Sequence, residues 1–131
     1  MPIGFDSAFG PLPQALQLAG RRTEVLASNI ANADTPGFKA RDFDFRAAMG
    51  AALDGQIPMR RTHAAHLSLS GSPGNPVALL YRTPQQPSLD GNTVDTQVEQ
   101  AEFARNAVHY QATLTFLSGR ISSLKDALRG E

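Results

Sequence analysis

The run DTQVEQAEFARNAVHYQATLTFLSGRISSLKDALR, residues 95–129, decides how this 131-residue chain can fold. It contains no proline and is the longest stretch that reads as one uninterrupted helix. Within it Phe103, Ala107, Tyr110, Leu114, Leu117, Ile121, Leu124 and Leu128 recur at alternating spacings of four and three, the 3.5-residue period of a coiled-coil seam. A second stripe, Val94, Val98, Ala101, Val108, Ala112 and Thr115, is interrupted by Arg105 and lies more than about 100° around the helix from the first. One partner helix cannot cover both. The ends are written into the same run: Asp95 suits the N-cap, Glu99 and Glu102 the positive end of the macrodipole, Lys125 and Arg129 the negative end, and Gly130 the stop.

The other end of the chain carries the same pattern. Leu12, Leu16, Ala19, Thr23, Leu26, Ile30 and Ala33 follow the four-three alternation, and Pro13 fits a first helical turn, where its missing N–H costs nothing. The spacing predicts a helix over 13–33 behind a flexible leader, 1–12. At 1.5 Å per residue the two helices are about 30 and 50 Å long, so a hairpin leaves about 20 Å of the longer one uncovered. Gly20 and Gly119 lie inside these helices, each costing about 1 kcal/mol relative to alanine. Either they permit close helix packing, or both helices are marginal alone and await partners.

Between the helices, Ala33-Asp34-Thr35-Pro36-Gly37 is a strong stop. The proline pushes Thr35 out of the helical region, and Pro36-Gly37 suits the centre of a type II turn. Residues 42–45 alternate as an extended segment would, and 45–53 suit a short helix. Pro58, Pro73, Pro76, Pro84 and Pro87, with Gly71, Gly74 and Gly91, make the remainder of 34–94 an irregular insert, with room for short strands at 66–69 and 77–81. The expected fold is a single domain, mainly α, in which the N-terminal and long C-terminal helices pack as an antiparallel coiled-coil-like hairpin around this Pro/Gly-rich middle.

Composition excludes several functions. Twelve basic residues balance twelve acidic ones, and Arg21-Arg22 and Arg60-Arg61 are isolated pairs, so there is no footprint for nucleic acid. The absence of cysteine removes disulfides, thiolate metal sites and thiol nucleophiles. No apolar run approaches the ~20 residues that span a bilayer, and the first twenty residues do not read as a cleaved signal. His63 and His66 are three apart, but no third ligand lies near them. Asp34, Asp42, Asp44, Asp90 and Asp95 sit at turns and helix ends, where capping accounts for them. No nucleophile elbow or phosphate loop is present. We expect no catalytic residues, no metal and no cofactor. Asn29, Asn32 and Asn92 either bond helix ends or fix register across chains.

Taken together, the two ends resemble a known family. Leu26-Ala27-Ser28-Asn29-Ile30-Ala31-Asn32-Ala33-Asp34-Thr35-Pro36-Gly37-Phe38-Lys39 is similar to the N-terminal signature of the bacterial flagellar rod and hook proteins. The segment Ala40-Arg41-Asp42-Phe43-Asp44-Phe45, the run Asp90-Gly91-Asn92-Thr93-Val94-Asp95 and the block from Tyr110 to Ile121 resemble the proximal-rod members. The resemblance covers about two-thirds of the chain and implies a non-enzymatic structural subunit of the basal body. It further implies export through the flagellar type III apparatus without cleavage, and assembly in the periplasm as a rod that transmits motor torque. Implied partners are other rod subunits, the rod-ring junction protein FliE and the MS ring, with self-association in the assembled rod.

On this reading Leu16, Ala19, Leu26, Ile30, Val98, Phe103, Tyr110, Leu114, Leu117, Ile121, Leu124 and Leu128 carry intersubunit contacts, Asp34 to Lys39 sets the helix exit, and Asn29 to Lys39 is the motif shared with the family. The alternative is a free-standing helical-hairpin adaptor for a single partner helix. It requires a stably folded monomer, whereas the rod reading expects a poorly ordered one.

Overall fold

The computed structural model describes residues 8–54, 78–84 and 88–130. Its elements run α1 (Leu12–Ala31), β1 (Arg41–Asp42), α2 (Phe45–Asp54), β2 (Leu80–Tyr81) and α3 (Thr96–Arg129). The expected mainly helical hairpin is the architecture observed. The possible strand at 66–69 and the pair His63 and His66 lie outside the described residues.

Helix α3 is 34 residues long and is closed at both ends by local chemistry. The Asp95 carboxylate accepts from the Gln97 and Val98 N–H groups at 3.0 and 3.2 Å, satisfying donors that the first turn leaves free. Gly130 follows in the left-handed region, φ 77°, and returns its N–H to the Asp126 carbonyl. Helix α1, 20 residues, has no side-chain cap at its start; proline in its first turn serves there. It ends at Ala31 rather than at the expected Ala33, because the Asn32 and Ala33 carbonyls bond the Asn92 side chain. The turn that follows is closed by the Phe38 N–H on the Thr35 carbonyl, with Gly37 at φ 74°, the third-position geometry of a type II turn.

Strands β1 and β2 pair antiparallel, Arg41 opposite Tyr81 and Asp42 opposite Leu80. The Arg82 N–H donates to the Ala40 carbonyl beyond the pair, and the Arg41 guanidinium lies 5.3 Å from the Tyr81 ring centroid. Asp44 caps α2 by accepting from the Arg46 and Ala47 N–H groups.

Helices α1 and α3 run antiparallel. Asn29 meets Glu99, Arg22 meets Glu102, the Ala19 carbonyl meets Asn106, and the Ala8 carbonyl meets Arg120. The surplus length of α3, 34 residues against 20, projects past α1 for about 20 Å. Buried apolar side chains are few: Leu18, Ala19, Leu26, Ala40 and Phe43. Buried among them are Asn29, Asn92, Glu99 and Asn106. A methyl on Gly20 would touch only Tyr110, at 3.9 Å, and one on Gly119 would meet open space. Close packing therefore requires neither glycine, and their cost falls on helix stability.

Candidate assembly interface

The apolar residues expected at an interface separate into three groups. Ala19 and Leu26 are buried inside this chain's own hairpin. Leu16, Ile30, Val98, Phe103, Leu117 and Leu124 are half-buried. Tyr110, Leu114, Ile121 and Leu128 are exposed, and Val108 and Phe116 are exposed beside them. The exposed group lies on the middle and C-terminal half of α3. In the second stripe Val94 and Val98 are half-buried, whereas Ala101, Val108, Ala112 and Thr115 face solvent. At about 100° per residue, the meridian of α3 turned toward α1 runs through Glu99, Asn106 and Thr113, roughly 40° from the nearer row of the apolar seam and roughly 80° from the farther one. The apolar rows flank the intrachain contact rather than fill it.

A polar clasp holds the base of the hairpin. Asp42 on β1 accepts from Arg22 Nε at 3.1 Å and Nη2 at 2.8 Å, and from Arg82 Nη2 at 2.6 Å. Arg82 Nη1 donates to Glu99 at 2.7 Å, and Arg22 Nη2 also reaches Glu102 at 3.1 Å. Glu99 is 1% exposed and accepts in addition from Asn29 Nδ2 at 3.1 Å. The Asn29 amide, equally buried, is used twice more: Nδ2 donates to the Arg41 carbonyl at 2.7 Å, and Oδ1 accepts the Arg41 N–H at 3.1 Å. Two arginines, three carboxylates and an amide thus tie α1, α3 and both strands together. Burial alone pushes the Asp42 carboxyl up, but the Arg22 bond, the Phe43 N–H and the Arg82 bond outweigh it and hold the group below its ordinary value.

A second clamp joins the two sequence motifs. Asn92 Nδ2 lies 2.7–3.1 Å from the carbonyls of Asn32, Ala33 and Thr35, while its Oδ1 accepts the Val94 N–H at 2.8 Å. One amide thereby serves acceptors at the exit of α1 and a donor at the entrance of α3. Lys39 Nζ donates to the Gly91 carbonyl, the Gly37 N–H to the Asp90 carbonyl, and the Thr93 N–H to the Phe38 carbonyl. The stretch Asn29 to Lys39 is therefore the intrachain partner of 90–95. Within it Ile30, Ala31, Asp34, Pro36 and Phe38 shape the helix end and turn.

Sequence reasoning left Arg82 and Asn106 without a role, treated Arg22 as part of an isolated basic pair, and read Glu99 and Glu102 as helix-dipole acids and Asp42 as a turn residue. A signal was available: Glu99, Asn106 and Thr113 repeat at heptad spacing. Their polarity hid it. Beside the clasp an open groove of about 580 Å³ runs between Ala15 and Ala19 of α1 and the Val98–Thr113 side of α3. Among the described residues no three of His, Cys, Asp or Glu could hold a metal ion, and no helix is long and apolar enough to cross a membrane.

Known proteins share this chain's length and pattern. Residues 14–39 match the family model described as flagella basal body rod protein. The chain is 49% identical over 134 residues to the flagellar basal body rod protein FlgB of Aeromonas hydrophila, with 100% of this chain and 99% of the relative covered. It is 48% identical to FlgB of Cereibacter sphaeroides strain ATCC 17029, covering 98% of each, and 41% identical to FlgB of Salmonella typhimurium strain LT2, covering 95% of each.

Proposed function

This chain belongs to the FlgB family of flagellar basal body rod proteins, and we propose that it is a building block of the proximal rod, joined to its neighbours by helix–helix packing. As a member of this family it is a structural subunit of the flagellar basal body, assembling with other components of that body. The finer reading is that it transmits motor torque from a periplasmic position, after export without cleavage through the flagellar type III apparatus. Its neighbours on this reading are other rod subunits and further copies of itself, the rod-ring junction protein FliE and the MS ring.

The observation that carries the packing proposal is the α3 surface left bare by α1. Phe116 is 67% exposed and Leu128 85%, on a helix whose far end runs past the start of α1, where Arg120 Nε donates to the Ala8 carbonyl. Two rows of apolar side chains on one projecting helix suit contact with more than one neighbour, and a head-to-tail contact that does not close builds a helical layer. An aspartate at Ile121, which is exposed, or at Leu117, which is half-buried, should abolish rod assembly and swimming while expression persists. Normal swimming in both variants would sink the packing proposal.

The clasp at the base gives weight to the adaptor alternative, because it satisfies buried polar groups without any second chain. Amide hydrogen exchange with sedimentation on the same sample separates the two. Protection of α1 and of α3 through Leu128 in a monomer favours the adaptor; protection that ends near the clasp favours the rod.

A further inference from the structure

The apolar pattern of the two long helices does not choose how far along each other they sit. Leu12, Leu16, Ala19, Leu26 and Ile30 on α1, and Phe103, Tyr110, Leu117, Ile121, Leu124 and Leu128 on α3, repeat at the same spacing. A slide of one heptad, ~10 Å, therefore presents another apolar row. A slide toward the C-terminal end of α3 would bring Tyr110 to the level of Leu26 and Leu124 to the level of Leu12. That arrangement would keep Asn106 in the contact, at the level of Asn29, and carry Glu99 out of it. Apolar burial is non-directional, so it does not account for the position α1 occupies.

Polar groups do account for it. Asn106, 3% exposed, donates from Nδ2 to the Ala19 carbonyl at 2.8 Å and to Thr23 Oγ1 at 2.9 Å. One heptad away, Glu99 meets Asn29 and Arg82, and between them Glu102 meets Arg22. After the slide Glu99 would pass beyond the end of α1, and Arg22 would face His109 in place of a carboxylate. We infer that Glu99 and Asn106, read by Asn29, Arg22 and the Ala19–Thr23 turn, are a register lock: positioning residues that fix α1 against one stretch of α3. They do so at a cost in stability, as buried polar groups in helix seams do elsewhere.

The lock sets how much of α3 projects past α1. If the rod proposal holds, that length is what neighbouring subunits meet; the lock itself does not depend on that proposal.

Because the chain contains no cysteine, spin labels can be placed at Ser28→Cys and Gln111→Cys, two exposed helical sites away from the seam. Electron-electron double resonance on the full chain should give one narrow distance. With Asn106→Leu, and more fully with Glu99→Leu and Asn106→Leu together, a second population displaced by up to ~10 Å should appear. Helical content should persist, and the thermal midpoint should be equal or higher. A single unshifted distance in the double variant would assign the register to the Asn92 clamp and overturn the inference. Unfolding of the milder Asn106→Leu chain would overturn it too, because these groups would then supply stability rather than register. Failure of either kind would leave the swimming test of the packing proposal untouched.

Discussion

The first turns of α3 and its last turns carry similar helix-forming residues and stand in different physical situations. From Asp95 to Asn106 the helix is capped, clasped and buried along one meridian, and its most enclosed side chains are Glu99 and Asn106. From Leu117 to Arg129 a long-range hydrogen bond runs from Arg120 to the Ala8 carbonyl, and the apolar side chains of Ile121 and Leu128 are exposed. Polar contacts are directional and satisfied at one geometry; apolar contacts accept any neighbour of suitable shape. The base is built to find one intrachain arrangement, and the tip offers surface that remains available to others.

The widest separation between the two halves should appear on truncating leucines. Leu26→Ala, at a site 0% exposed, should cost about 3 kcal/mol in urea unfolding of the free chain, whereas Leu128→Ala should stay within about 0.5 kcal/mol. Equal losses would mean that the tip is covered in the free chain and would break the contrast. Arg82→Met should cost about 2 kcal/mol, since it leaves the buried Glu99 carboxylate with only Asn29; the partial exposure of Arg82 reduces the figure expected for a fully buried pair. Asn92→Ala should cost about 1–2 kcal/mol by orphaning carbonyls at the α1 exit. Its protection loss should be confined to the base in hydrogen exchange.

Acid should loosen the base selectively. The Asp42 carboxyl is held below its ordinary value in the folded chain. A group depressed on folding contributes stability in full above its unfolded pKa and loses it as pH falls through the folded one. The clasp contribution should therefore be level around neutrality and disappear below about pH 4, and Asp42→Asn should flatten that part of the profile of midpoint against pH. A small stabilising effect belongs to the tip. Gly119→Ala, where a methyl meets open space, should raise helix stability by about 0.5–1 kcal/mol, read as a modest rise in helicity and thermal midpoint.

Much of the architecture is legible from local residue chemistry. The Asp95 cap, the Gly130 stop, the Pro36-Gly37 turn and the Asp44 cap of α2 each depend on groups a few residues apart. The clasp is not legible in that way. Asp42 lies 40 positions from Arg82, and Asn29 lies 70 from Glu99, so nothing local marks them as partners. A charged residue at a helix start also has a sufficient local explanation in the dipole, which concealed the second use of Glu99. The Asn92 amide looked ambiguous for the same reason, and its three carbonyl acceptors become visible only when residue 92 meets the exit of α1.

The order of residues alone settled that there would be two long heptad helices, where they begin and end within about two residues, and that a turn follows the first. Those features obey the 3.6-residue period and short-range hydrogen bonding. Only the tertiary structure decided which meridian of α3 faces α1 and at what height. Apolar rows repeated every heptad are equivalent under a slide, and that equivalence is broken by polar partners that chain folding alone brings together.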